Sequence, residues 1–200
     1  MPARRPPVEF VSYDEALDLL SQHRIEEAPE GGERCFLRLQ DDENVVHVHL
    51  AGSGCACEAR PGAQRIAAEK PELGGIVEQI LHKLNLSEVL LIPVGKWQKV
   101  FDAVAFSLAA HADWQEIDAV AAVQLHTRDP LMCGPADFHT VRALLDALFK
   151  DAEAPDQGLC LITTAAPILI EIVPDGAVRI GVASAVLADE IVELVSSARS

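Results

Sequence analysis

Aromatic side chains are scarce, at 4% of the chain, although half of its 200 residues are hydrophobic. A core of that composition is built from aliphatic layers with a few Phe and Trp anchors, and its size excludes a disordered chain. Cations are scarce too: 16 Lys plus Arg stand against 31 Asp plus Glu, a formal net charge of -15. An acidic surface of this strength repels phosphate backbones and anionic headgroups, so neither nucleic acid nor a membrane is an expected partner. No segment approaches the roughly 18 apolar residues of a membrane span. Even LCLITTAAPILIEIV is broken by Thr, Pro and Glu. MPARRPPVEF has prolines and a glutamate where a signal peptide needs an apolar run, and the expected location is the cytoplasm. The five cysteines follow no even framework spacing, which agrees with free thiols in a reducing compartment.

Catalytic signatures are also missing. There is no GxSxG, HExxH or dinucleotide fingerprint, and IPVGKWQK lacks the glycine run and hydroxyl of a phosphate-binding loop. Asp41, Asp42 and Glu43 read as a polar turn and not as an acid-base pair.

What is present is a legible order of elements. Residues 1–11 read as an extended arm, and Ser12 with Glu15 forms a capping-box pattern that opens a helix carrying Leu17, Leu19 and Leu20 and ending near Arg24. EEAPEGGER reads as a loop. CFLRL, NVVHVHLAG and CACEAR read as a three-stranded meander, PGAQRIAAEKPE as irregular, and LGGIVEQILHKL as a helix. EVLLIPV has the continuous apolar character of a strand buried on both faces. A helix follows with Trp97, Val100, Phe101, Val104, Ala105 and Leu108 on one stripe, and IDAVAAVQL reads as a strand. TRDPLMCGP is a loop, and Pro135 opens a helix with Phe138, Val141, Leu145, Leu148 and Phe149 inward. LCLITT, ILIEIV and AVRIGV form a second meander, with Pro174-Asp175-Gly176 as its hairpin turn. A final helix after Ser184 places Leu187, Ile191, Leu194 and Val195 inward.

The resulting order is α-βββ-α, then β-α-β, then α-βββ-α. It predicts an α+β fold with largely antiparallel sheet and helices packed on one face, over a single domain at 12–200 with possible pseudo-repeated halves at 12–94 and 95–200. In element order alone, an α-βββ-α block on a small acidic chain resembles secretion-chaperone modules; that resemblance carries over no residue.

The richest stretch for chemistry is HVHLAGSGCAC, residues 47–57. Zinc takes four nitrogen or sulfur ligands in a tetrahedron, and residues two apart on a strand share a face. A three-residue turn at 51–53 would place His47, His49, Cys55 and Cys57 together. A two-residue turn at Gly52-Ser53 would instead put the cysteines with Val46, Val48 and Leu50. Matching apolar face with apolar face favours the second register, with core cysteines and solvent-facing histidines. A second candidate is Cys133, in a loop before a helix N-terminus that could lower a thiol pKa, with His126 and His139 on either side as possible bases. The leading expectation is a non-enzymatic module that binds a protein partner or self-assembles as a homo-oligomer without a cofactor. The alternative is a zinc-binding or thiol-dependent protein using His47, His49, Cys55 and Cys57, or Cys133.

Overall fold

Two faces of one sheet, opposite in character, decide the architecture. A computed structural model describes residues 9–28, 36–40 and 44–197 of the chain. Its helices are α1 (Tyr13–Gln22), α2 (Leu73–Lys83), α3 (Trp97–Leu108), α4 (Ala112–Ala121), α5 (Phe138–Asp151) and α6 (Ala185–Ser197). Its strands are β1 (Glu9–Phe10), β2 (Ile25–Ala28), β3 (Phe36–Leu39), β4 (Val46–Ala51), β5 (Gln64–Ala67), β6 (Val89–Pro93), β7 (Leu131–Cys133), β8 (Leu159–Thr163), β9 (Ile168–Val173) and β10 (Ala177–Val182). Eight strands form one sheet in the order β1-β7-β6-β8-β9-β10-β4-β5, and β2 pairs with β3 in a sheet of two. The fold is α+β and the large sheet is mostly antiparallel; only β4 and β5 run parallel.

Side-chain alternation sorts the sheet. Phe10, Leu131, Leu91, Leu161, Ile170, Ile180 and Val48 are successive register partners across seven strands, and all pack in the main core with residues of α2 to α6. Each fully buried Leu or Ile there contributes about 1.5–3 kcal/mol. On the opposite face Ile92, Cys160, Ile162 and Leu169 make a smaller core with Leu20 of α1 and Ile25, Leu37 and Leu39 of the two-stranded sheet. Five helices therefore cover one face, while α1 with β2–β3 covers part of the other. Gly181 marks the close approach of this cover, since a Cβ there would lie 2.9 Å from Leu39 Cδ1.

Several expectations hold. Ser12 caps α1 by accepting the Glu15 amide at 3.2 Å. EVLLIPV supplies the fully buried β6, and the second meander is the run β8-β9-β10, with Gly176 at φ +109° in its turn. Trp97, Val100, Phe101, Val104 and Leu108 are buried on α3, though Ala105 is exposed.

Other expectations are corrected. IDAVAAVQL is not a strand; its first residues complete α4, capped by His111 and buried through Trp114, Ile117 and Ala121 at helical spacing. That spacing begins at Trp114, upstream of the apolar run. EEAPEGGER is not wholly loop, because Arg24 at φ +59° ends the first helix and releases Ile25–Ala28 as β2, with Glu26 opposite Arg38. Leu17 faces outward on that helix, where Ala16 and Leu20 are buried instead. TRDPLMCGP contains β7, PGAQRIAAEKPE contains β5, and a 3-10 turn at Pro135–Asp137 precedes α5.

The first meander does not form. β3 pairs with β2, β4 lies between β10 and β5, and CACEAR is not a strand. The two α-βββ-α blocks are thus differently built. Of the predicted arm only residues 9–11 fall among the described residues, and Glu9–Phe10 of these form a strand on β7; Cys35, Asp41, Asp42 and Glu43 lie outside them.

Candidate functional site

Residues 52–63 connect the parallel strands β4 and β5, and this connection carries the chemistry. Parallel neighbours cannot be joined by a tight hairpin; they need a crossover of about a dozen residues. Neither hairpin register weighed from the sequence is present, because the chain leaves β4 through a turn closed by the Cys55 amide on Gly52 O, at 3.2 Å, and returns alongside it as β5. The two cysteines are not core thiols. They are joined to each other in a disulfide with a Cα–Cα distance of 5.5 Å, and both are half-buried. Among the described residues, the expectation of free thiols holds for Cys133 and Cys160, both buried, and fails for Cys55 and Cys57.

The β9–β10 hairpin holds this connection in place. Asp175, in the turn, accepts the Ala56 amide at 3.1 Å, and its Oδ2 lies 3.7 Å from Cys55 Sγ. Arg179 of β10 donates through Nη2 to Glu58 O at 2.8 Å, and Arg60 donates to Glu171 Oε1 of β9 at 2.7 Å. The Cys57 amide donates to Cys55 Sγ at 3.4 Å. Among the described residues, Cys55, Cys57 and Asp175 are the one group of three or more His, Cys, Asp or Glu whose metal-ligating atoms all lie within 4.8 Å of one another.

Beneath the connection runs a charged row. Glu171, Arg179, His49 and Arg65 are successive register partners on β9, β10, β4 and β5, in line with Cys160 and Ile92 of the second core. The row turns from apolar to charged where the cover of α1 and β2–β3 stops. The parity expected for His47 and His49 is therefore right, but their exposure is not: His49 is only 6% exposed and His47 is half-buried. His49 Nδ1, Glu171 Oε2 and Arg179 Nε are buried without a hydrogen-bond partner. These three residues line a cavity of about 10 Å³, room for one water centre. Burial holds the His49 pKa below its ordinary value of 6.5, and the positive charges of Arg179 and Arg65 add to that. A separate open hollow of about 250 Å³ is lined by Cys55, Cys57, His49 and Arg65.

Cys133, His126 and His139 do not form a group of this kind. Cys133 is 1% exposed, on β7 opposite Val89 in the main core. His126 is exposed, and His139 Nε2 lies 2.7 Å from Asp113 Oδ2 at the surface. The start of α3 offers no anion site either: the Gly95, Trp97 and Gln98 amides donate to the carbonyls of Asp156, Thr127 and Leu125.

Sequence reasoning missed Asp175, Glu171, Arg179, Arg60 and Arg65. A signal existed for two of them. Glu171 and Arg179 are the charged interruptions of two apolar strands, and they stand symmetrically about Asp175, so the hairpin turn makes them opposite partners. No protein-family model matches this chain, no curated protein is significantly similar to it, and no solved structure matches it.

Proposed function

We propose that the protein is a thiol-disulfide switch in which Cys55 and Cys57 interconvert between disulfide and dithiol by exchange with an external thiol. This is the thiol-dependent alternative of the sequence, moved from Cys133 to the Cys55–Cys57 pair. An incoming thiolate attacks one sulfur, forms a mixed disulfide and releases the other sulfur as a thiolate. A second external thiolate then resolves the mixed disulfide, so two electrons reduce the pair and one external disulfide is the product.

The observation that carries this reading is that both cysteines line an open hollow together with Arg65. An approaching thiol can reach them, and a guanidinium beside them favours the thiolate. A structural staple is a poor account of the bond. It encloses only Ala56, so loop-closure entropy gives it under about 2 kcal/mol, against about 3 kcal/mol for a 15-residue loop. The ties to β9 and β10 run through Asp175, Glu171 and Arg179 and do not need the bond. By comparison, the protein-partner reading rests on exposed apolar side chains such as Phe106 on α3, Val123 in the turn after α4 and Val186 on α6, which stand on three separate segments.

Equilibration of the native protein in buffers of graded glutathione ratio, followed by alkylation and mass measurement, tests the switch. Cys55 and Cys57 should titrate together as one reversible two-electron couple while Cys133 and Cys160 stay unalkylated. Cys57→Ser should accumulate a glutathione adduct on Cys55. A pair that stays reduced across the whole range, or reoxidises only between chains, would overturn the proposal.

A further inference from the structure

We infer that the dithiol form of this site binds a divalent cation of the zinc class through Cys55 Sγ, Cys57 Sγ and an Asp175 carboxylate oxygen, and that disulfide formation expels it. The inference rests on the proposed switch for its redox link, but the ligand set stands on its own geometry. The three donors come from two separate segments, the crossover and the β9–β10 turn, and they already lie within 4.8 Å of one another. Tetrahedral zinc with bonds of about 2.3 Å to sulfur places two thiolates about 3.8 Å apart. Opening a disulfide of about 2.05 Å to that spacing moves the sulfurs by less than about 2 Å. Asp175 is already fixed toward Cys55 by the Ala56 amide, which leaves its second oxygen free of that bond.

A further donor points to a ligand independently. His49 is buried, its Nδ1 has no hydrogen-bond partner, and the residue lines the same hollow as Cys55 and Cys57, although it stands outside the group of three close donors. A buried imidazole nitrogen with no partner carries a desolvation cost that a hydrogen bond to a metal-bound water would offset. Two thiolates and a carboxylate sum to -3, a dication brings that to -1, and Arg65, which lines the same hollow as the cysteines, offsets the remainder. The zinc alternative raised from the sequence is thereby revised: Cys55 and Cys57 are kept, and Asp175 joins them in place of the two histidines.

Oxidation balances without a further reagent class. The two cysteine thiolates give two electrons to a low-molecular-weight disulfide, become the Cys55–Cys57 disulfide, and release the cation together with two external thiolates. A disulfide sulfur is no longer a thiolate ligand, so binding and oxidation exclude each other.

The experiment is a titration of the full-length protein, reduced with a phosphine and desalted without oxygen, with Zn²⁺ against a chromophoric chelator, and in parallel with Co²⁺. The reduced wild type should bind one Zn²⁺ per chain and give a thiolate-to-cobalt charge-transfer band. Glutathione disulfide should release the metal as the mass falls by two hydrogens. Asp175→Asn should weaken binding at least 10-fold while circular dichroism stays unchanged, and Cys55→Ser/Cys57→Ser should abolish both binding and the band. Zinc retained by the double variant would assign it to surface groups and overturn the inference, as would a reduced wild type that binds none. If the pair cycles reversibly but binds no zinc, the metal site falls and the switch stands. If zinc binds but the pair never reoxidises, the switch falls and the metal site stands.

Discussion

Single residues carry most of what is unusual here, and His49 is the sharpest case. It sits between two arginines on a strand face, buried, with an unpartnered ring nitrogen. Its pKa is lowered in the folded protein, so the unfolded chain takes up a proton first as pH falls. The folded state accordingly keeps its full stability above about 6.5, the ordinary histidine value, and loses part of it as pH drops from there toward the depressed folded value. Urea denaturation at pH 7.5 and 5.5 should show this loss in the wild type, with a smaller difference in His49→Gln; equal slopes in the two proteins would remove His49 from the account. The alternation of VHVHL makes the face of this residue legible in the sequence. Its burial is not legible, because what covers it is a connection whose path depends on Asp175, Glu171 and Arg179, more than a hundred positions away.

Elements followed local pattern wherever the pattern was long. α5 buries the whole stripe that its spacing predicts, and α2, α3 and α6 bury most of theirs, with Ala105 exposed and Leu187 and Leu194 half-buried. Short apolar runs misled, since IDAVAAVQL fits a strand until Trp114 is counted into the face. The contact of α2 with α5 shows how finely packing then constrains an element. A Cβ at Gly74 would lie 2.0 Å from Asp146 Oδ1, so the gain of about 0.5–1 kcal/mol usual for Gly→Ala inside a helix should be reversed there. Gly74→Ala should cost about 1 kcal/mol or more by chemical denaturation. In an Asp146→Ala background the same change should be neutral or stabilising, since the Asp146–Arg142 pair, at 3.5 Å and solvent-exposed, adds under about 1 kcal/mol of its own. A cost of equal size in both backgrounds would show that the clash is not with Asp146.

At the scale of the whole molecule, one sheet takes strands from distant parts of the chain: β4 and β5 complete an edge next to β10, and β1 joins the opposite edge through β7. The possible boundary near residue 94 would cut β4 from β10, its antiparallel partner over six residue pairs. A chain of residues 12–94 should therefore show no cooperative unfolding transition, whereas the full chain shows one that coincides by tryptophan fluorescence and circular dichroism; a cooperative transition in the fragment would establish an autonomous half. By itself the sequence determined the α+β class, most helices, the buried strand β6, the second meander and the face on which His47 and His49 lie. These follow from periodicities of 3.6 and 2 and from turn residues, which act within a few positions. Only the tertiary structure decided that β4 pairs with β10, that the chain after β4 crosses over instead of turning back, and that Cys55 and Cys57 meet each other beside Asp175. Those outcomes depend on which distant backbone hydrogen bonds and charged partners compete best for a segment, and no local pattern of side chains records that competition.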